Sequence, residues 1–119
     1  MTKTLQLDSD PQRALDAIRS ASAANAVLVF KKSPICPVST TAERELTNWL
    51  AGPGADADLT VVWVDVIGER ELARGLTAAL DVQHESPQAL WFEAGELKAH
   101  DSHSALNGAR FSAWTSGDF

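Results

Sequence analysis

The sequence predicts an α/β fold in which a small mixed sheet of four strands is flanked by helices. Two continuous apolar runs, AVLVFK (26–31) and LTVVWVDV (59–66), have strand length and the composition of strands buried on both faces. A helical segment separates them, and such a strand–helix–strand connection implies parallel strands joined in the right-handed sense. A closing hairpin adds an antiparallel pair. The predicted order is α-β-α-β-α-β-β-α: an N-terminal helix, a β-α-β unit, a linking helix and a β-β-α unit.

The first half of the chain carries two helices with clear boundary signals. The first is predicted over 11–23, with Asp10 as N-cap and Pro11 in the first helical position. The second follows the first strand and ends at Gly52 and Pro53. The apolar residues at helical spacing are Leu15 and Ile18 in the first helix, and Val38, Ala42, Leu46, Trp49 and Leu50 in the second.

The second half predicts a third helix, a hairpin and a last helix. Residues 69–80 place three leucines on one stripe of a helix. QALWFE (88–93) and ELKAH (96–100), joined by an Ala-Gly turn, are typical of an antiparallel hairpin. The last helix is expected over about 104–114, with Gly108 as an interruption.

Length and composition predict one domain, residues 1–119, with a real core, because 45% of the residues are hydrophobic. The formal net charge of -6 argues against nonspecific affinity for nucleic acids or anionic membranes. The longest apolar run, at 26–30, is too short to span a bilayer, and MTKTLQLDSD has no apolar stretch of a secretory signal. We therefore expect a cytoplasmic protein without nucleic-acid or membrane partners.

The single cysteine stands where a reactive thiol would be favoured. In KKSPICPVST (31–40), Cys36 lies between Pro34 and Pro37, in the loop after a buried strand and at the start of a helix. Unpaired N–H groups and partial positive charge at a helix N-terminus stabilise a thiolate. Pro37 suits the first helical turn because it lacks the N–H that would be unpaired there. The alternative is a buried, inert core cysteine.

The local charge also favours a thiolate at this position. No acidic residue occurs between Asp16 and Glu43, whereas Lys31 and Lys32 immediately precede the loop. Because side chains alternate along a strand, one of the two lysines, Lys32 or Lys31, is expected to point toward Cys36.

Ser39 occupies the position in which a dithiol redox protein has its second cysteine. Its hydroxyl could donate a hydrogen bond to the sulfur of Cys36, or it could simply satisfy backbone groups in the first helical turn. Both roles are open from the sequence. In either case, a disulfide on Cys36 must be resolved by a thiol from outside the chain.

A second loop, HESPQALWF (84–92), places Ser86 and Pro87 directly before a predicted strand, where proline is tolerated. The Ser86–Pro87 bond could be cis or trans on sequence grounds alone. His84 is a possible charge or hydrogen-bond partner for the Cys36 loop. The three histidines and one cysteine match no compact ligand spacing, so no metal site is expected.

Four segments carry a resemblance to one known family. KKSPICPVS (31–39), ESPQ (85–88), EAGE (93–96) and SHS (102–104) resemble, in order and spacing, the monothiol bacilliredoxins of the YtxJ type, within the thioredoxin-like superfamily. The resemblance covers nearly the whole chain. It implies a thioredoxin-like fold. The chain differs from the family pattern at Lys32, where the family often has histidine, and at Pro34.

The resemblance implies a thiol–disulfide oxidoreductase that removes bacillithiol, or a similar low-molecular-weight thiol, from mixed disulfides on client proteins. Cys36 would be the nucleophile, Ser39 would fill the absent resolving position, and Pro87 would be a substrate-facing cis-proline. Backbone groups of Ser86 could pair with an extended substrate. No bound cofactor is implied, and bacillithiol would be the thiol co-substrate.

Two other functions are considered for a thioredoxin-like chain with one cysteine, and the second of them lacks support. The first is a binding, chaperone or redox-sensing module, in which Cys36 is reversibly S-thiolated without turnover. The second is a thiol peroxidase, which needs an arginine beside the cysteine; none is close to Cys36 in the sequence.

Overall fold

A mixed sheet with helices on both faces forms the centre of the molecule. The structure is a computed structural model that describes residues 2–119, so residue 1 of the predicted domain lies outside the described residues. The elements in chain order are β1 (Thr2–Thr4), α1 (Pro11–Ser22), β2 (Ala26–Lys32), α2 (Pro37–Ala51), β3 (Leu59–Asp65), α3 (Arg70–Ala79), β4 (Gln88–Glu93), β5 (Glu96–Ser102), a 3-10 turn (His103–Ala105) and α4 (Gly108–Thr115).

The strand order is β1-β3-β2-β4-β5. β1 and β2 run parallel to β3, whereas β4 pairs antiparallel with β2, and β5 with β4. The predicted fold class is confirmed, but the predicted number of four strands was wrong, because residues 2–119 form five. The additional strand is the three-residue edge strand β1. It is too short and polar to show a hydrophobic pattern, and it pairs through its backbone with Leu59–Val61.

The local boundary signals act as the sequence predicts. The Asp10 carboxylate caps α1 by accepting a hydrogen bond of 3.0 Å from the backbone N–H of Arg13. The hairpin turn has positive φ angles of 52° at Ala94 and 81° at Gly95, the conformation that two-residue hairpins favour. β5 continues to Ser102, two residues beyond the predicted end, before the chain turns.

The C-terminal helix differs from the prediction. Residues 103–105 form a separate 3-10 turn, and α4 begins at Gly108. Asn107 is the N-cap, because its side chain accepts a hydrogen bond of 2.9 Å from the N–H of Arg110. Gly108 is therefore the first residue of the helix and does not interrupt it.

The sheet separates two apolar clusters. One lies under α1 and α3, and the other under α2 and α4, where Trp49, Trp91 and Trp114 are buried. β2 is central to both clusters: Val27–Lys31 has essentially no exposed surface. The loop that leaves β2 emerges at the carboxyl edge of the parallel strands, where ligands of open α/β sheets typically bind. Among the described residues, no helix is long and apolar enough to cross a membrane.

Candidate functional site

Cys36 is the N-cap residue of α2, and Pro37 is the first residue of the helix. The carbonyl of Cys36 accepts a hydrogen bond of 3.1 Å from the N–H of Thr40, so the cysteine lies directly on the first helical turn. Its side chain is half-buried and belongs to neither core cluster. The thiol is therefore accessible to solvent and lies at a helix N-terminus, where backbone N–H groups are unpaired. This position contradicts the alternative of a buried, inert core cysteine.

Ser39 faces the protein interior and supports the loop that precedes Cys36. It lies on the buried face of α2 with Ala42 and Leu46 and has no exposed surface. Its hydroxyl oxygen accepts a hydrogen bond of 2.8 Å from the backbone N–H of Ser33. Within residues 2–119 no hydrogen bond joins this hydroxyl to the sulfur. Of the two roles that the sequence left open, the structure therefore favours backbone satisfaction, here of a loop N–H.

The two lysines before the loop point to opposite faces of the sheet. Lys32 lies on the α2 side, where its ammonium group is 3.5 Å from a carboxylate oxygen of Glu43 and 5.8 Å from the ring centroid of Trp63. It is not among the residues that line the pocket around Cys36. The expectation that Lys32 supports the thiolate is thus not matched by a direct contact, because its charge is already paired with Glu43.

Lys31 points to the other face and is completely buried. Its Nζ donates a hydrogen bond of 2.7 Å to the side-chain oxygen of Gln88 and lies 2.7 Å from Nδ1 of His84. The pKa of Lys31 is lowered from 10.5 to about 8, chiefly by burial and also by the charge of Arg74, against an opposing effect of Glu85. The sequence indicated neither the burial of this lysine nor its link to the second loop.

Gln88 holds the second loop in shape. Its side-chain nitrogen donates to the carbonyl of Gln83 at 2.9 Å, and its oxygen accepts from the N–H of Glu85 at 3.2 Å. The Ser86–Pro87 bond that follows is cis, as the family pattern implies. The buried hydroxyl of Ser86 has no hydrogen-bond partner among the described residues. Lys31 and Gln88 therefore connect the end of β2 to the loop that contains the cis-proline.

The two loops meet at a pocket of about 530 Å³. The pocket brings together three of the residues predicted from the sequence: Cys36, His84 and Ser86. It also contains two arginines of α3 that the sequence analysis missed, Arg70 and Arg74. The remaining lining residues are Ser33, Ile35, Val66 and Ile67. The i, i+4 spacing of the arginines could have indicated a shared helix face, but not that this face borders the thiol.

The electrostatic character of the pocket is positive. Burial lowers the pKa of His84 from its usual value, and the charges of Lys31, Arg74 and Arg70 lower it further against an opposing effect of Glu85. A neutral imidazole can accept a hydrogen bond from the Lys31 ammonium group. Among residues 2–119, no group of three histidine, cysteine or acidic side chains is arranged to hold a metal ion.

Comparisons with known proteins agree on one class of protein. The family model described as monothiol bacilliredoxin BrxC matches residues 7–110. One solved structure is described as an oxidoreductase with a thioredoxin fold. It is 26% identical to this chain with a TM-score of 0.74, and the match covers 97% of this chain and 93% of the other chain.

More distant structures share the fold. Trxlp from Edwardsiella tarda EIB202 is 19% identical, with a TM-score of 0.65, over 97% of this chain and 98% of its own. Fasciola hepatica thioredoxin is 12% identical, with a TM-score of 0.68, over 98% of this chain and 99% of its own. These matches establish a thioredoxin fold over nearly the whole chain.

Proposed function

The chain belongs to the monothiol bacilliredoxin family, and from this premise we propose that it removes bacillithiol, or a similar low-molecular-weight thiol, from mixed disulfides on protein cysteines. Family and fold together support a thiol–disulfide oxidoreductase. The observation that carries the finer proposal is the position of Cys36. It is half-buried at the N-terminus of α2, in one pocket with Ser86, the residue before the cis-proline.

The reaction consists of two exchanges at sulfur. The Cys36 thiolate attacks the bacillithiol sulfur of a modified client, the client's S–S bond breaks, and the client cysteine leaves as a thiolate. Cys36 then carries bacillithiol as a mixed disulfide. A second bacillithiol thiolate attacks the bound bacillithiol sulfur, which releases the Cys36 thiolate and bacillithiol disulfide. In the net reaction the client thiol is released, and the bacillithiol removed from it is joined to one free bacillithiol as bacillithiol disulfide.

The chain itself offers no resolving group. Cys36 is its one cysteine, and Ser39, which stands at the resolving position, has a hydroxyl committed to the N–H of Ser33. The second thiol must therefore come from solution, through the open side of the pocket. A client chain in extended form would pair with the backbone at Ser86, next to the cis-proline. We place the reaction in the cytoplasm, because it consumes a reduced thiol that is abundant there.

The test is release of the thiol from a bacillithiolated client protein. We expect wild type, supplied with excess bacillithiol, to release it at least tenfold faster than Cys36→Ser, which should match the rate without protein. Intact mass of the wild type during turnover should show one bacillithiol on Cys36. Equal release rates for the two proteins would contradict the proposed enzymatic function. A Cys36→Ser variant that still binds the client would support the alternative function as a binding module.

Hydrogen peroxide serves as the control substrate. The sequence argued against a peroxidase because no arginine is close to Cys36, yet the fold brings Arg70 and Arg74 to its pocket. We expect wild type to consume peroxide far more slowly than it releases thiol from the client, in keeping with its family. Peroxide consumption at the faster rate would favour the peroxidase instead.

A further inference from the structure

Two arginines of α3 line the same pocket as Cys36, and the exchange proposed above assigns them no role. Arg70 and Arg74 are one helical turn apart, on the same face of α3, and both line the pocket that contains Cys36. Both side chains are exposed, so the guanidinium groups are accessible to a molecule that enters the pocket.

Neither arginine forms an ion pair or hydrogen bond within residues 2–119. The acidic side chains of the adjoining loops have other partners. The Asp65 carboxylate accepts hydrogen bonds from backbone N–H groups, including that of Ile67 at 2.8 Å, and Glu69 accepts from the N–H of Asp65 at 3.1 Å. Glu85 lies 3.1 Å from a ring nitrogen of His103. Among residues 2–119, no carboxylate, including that of Glu71 on the same helix, lies within ion-pair distance of either guanidinium group.

The arginines affect the potential inside the pocket. Both contribute to lowering the pKa of His84, after its burial and the effect of Lys31. No acidic residue lines the pocket, although the chain as a whole has a formal net charge of -6. The thiol thus lies in a locally cationic region of an acidic protein, and such a region concentrates anions.

We propose that Arg70 and Arg74 form an anion subsite that favours small thiols and disulfides bearing a carboxylate over uncharged or cationic ones. A guanidinium group binds a carboxylate through two parallel N–H···O bonds, and it keeps its charge at every working pH. The subsite orients the small thiol for exchange at Cys36 and takes no part in breaking or forming the S–S bond. It rests on the proposed function for its biological use, since it defines the thiol that the enzyme would accept.

The test compares three small disulfides of similar size but different charge: dithiodipropionate, hydroxyethyl disulfide and cystamine. They carry carboxylates, no charge and ammonium groups, respectively. The rate at which each modifies Cys36 is followed by intact mass. We compare the ratio of the dithiodipropionate rate to the hydroxyethyl disulfide rate. A variant that changes the thiolate fraction of Cys36 changes both rates equally, so this effect cancels in the ratio.

We expect each of Arg70→Gln and Arg74→Gln to lower this ratio about two- to fivefold, the range of single exposed charge pairs, and the double variant to lower it further. The ratio of the cystamine rate to the hydroxyethyl disulfide rate should rise in the same variants. Arg19→Gln is the matched control: Arg19 is exposed in the last turn of α1, before β2, whereas Cys36 follows β2, roughly 23 Å away along the strand. This control should leave the ratios unchanged.

A second measurement uses no variant. In wild type, raising the salt concentration from about 10 mM to about 1 M should bring the three rates closer together, because screening weakens exposed charges. Ratios that are unchanged in the double variant and insensitive to salt would overturn the subsite. This outcome differs from failure of the proposed function, in which Cys36 still shows the charge preference but releases no thiol from the bacillithiolated client.

Discussion

Lys31 is the residue whose surroundings alter its chemistry most. It is charged, completely buried, and held between Gln88 and His84 at 2.7 Å from each. A buried ammonium group loses its hydration, and two hydrogen bonds replace only part of it. The Lys31 side chain instead fixes the position of the loop before Pro87, because it joins that loop to the end of β2. Lys31 therefore acts as a structural link between the two halves of the site.

The lowered pKa of Lys31 predicts how stability changes with pH. Between the folded value of about 8 and the ordinary value of 10.5, the unfolded chain binds a proton that the folded chain does not. The free energy of unfolding should therefore rise with pH across this window. Measured by urea unfolding at pH 7 and pH 10, the stability of wild type relative to Lys31→Met should increase by about 2 kcal/mol. A difference that stays constant with pH would show that Lys31 is not desolvated in solution.

Ser39 shows the limit of reasoning about single residues. Its spacing from Cys36 allowed a contact with the sulfur, but the helix turns it toward Ala42 and Leu46, where its hydroxyl meets the N–H of Ser33. Which of two partners a hydroxyl chooses depends on the loop conformation. That conformation is set by contacts outside the motif.

At the scale of elements, the position of α3 decides where the pocket arginines lie. α3 packs closely on α1 at Gly75, where an added Cβ would meet the ring of Pro11. Glycine in a helix normally costs about 1 kcal/mol relative to alanine, so the close approach of the two helices opposes a low helix propensity at this position. The close contact fixes the position of α3 against α1, and with it the positions of Arg70 and Arg74.

Gly75→Ala should therefore destabilise the protein by about 1–3 kcal/mol, the usual range for overpacking, although alanine is the better helix former. Chemical denaturation of Gly75→Ala, Pro11→Gly and the double variant measures the effect, because glycine at position 11 removes both the Cβ and the Cγ that the new side chain would meet. In the double variant the clash partner is missing, and the cost of the alanine should be largely removed. A stabilising Gly75→Ala would rule out the close approach of the two helices.

At the scale of the whole molecule, the sheet is bounded by β1 on one side and β5 on the other. β1 is only Thr2–Thr4, and it covers the backbone edge of β3 at Leu59–Val61, the first three residues of a mostly buried strand. A long apolar strand with an uncovered edge can pair with another chain. We therefore expect the short N-terminal strand to protect this part of β3 from edge-to-edge association.

A chain that begins at Leu5 keeps the leucines that pack on the core and loses only this strand. We expect it to be roughly 1–3 kcal/mol less stable, because a few ladder hydrogen bonds are lost, and to self-associate as its concentration rises. Urea unfolding and light scattering measure the two effects. Thr2→Ala/Thr4→Ala, which keeps the backbone pairing, is the control and should behave as wild type. A truncated chain as stable and monomeric as wild type would refute the protective role.

The sequence alone determined the features that depend on neighbours along the chain. The N-cap of α1, the end of α2, the buried strands, the hairpin turn and the place of Cys36 between strand and helix follow from local patterns, and the structure agrees with them. The cis state of the Ser86–Pro87 bond was implied by the family resemblance, and the structure has this bond in the cis form. The conformation that a short segment prefers depends mainly on its own residues, so these features were predictable from the sequence.

Only the tertiary structure decided which distant residues meet. Arg70 and Arg74 are more than 30 positions from Cys36 in the sequence, yet they share its pocket, and Lys31 finds its partners on another strand and loop. The strand β1 exists because the edge of β3 is there to pair with it. These outcomes depend on how whole elements pack and which backbone groups remain unpaired, which no single stretch of sequence contains.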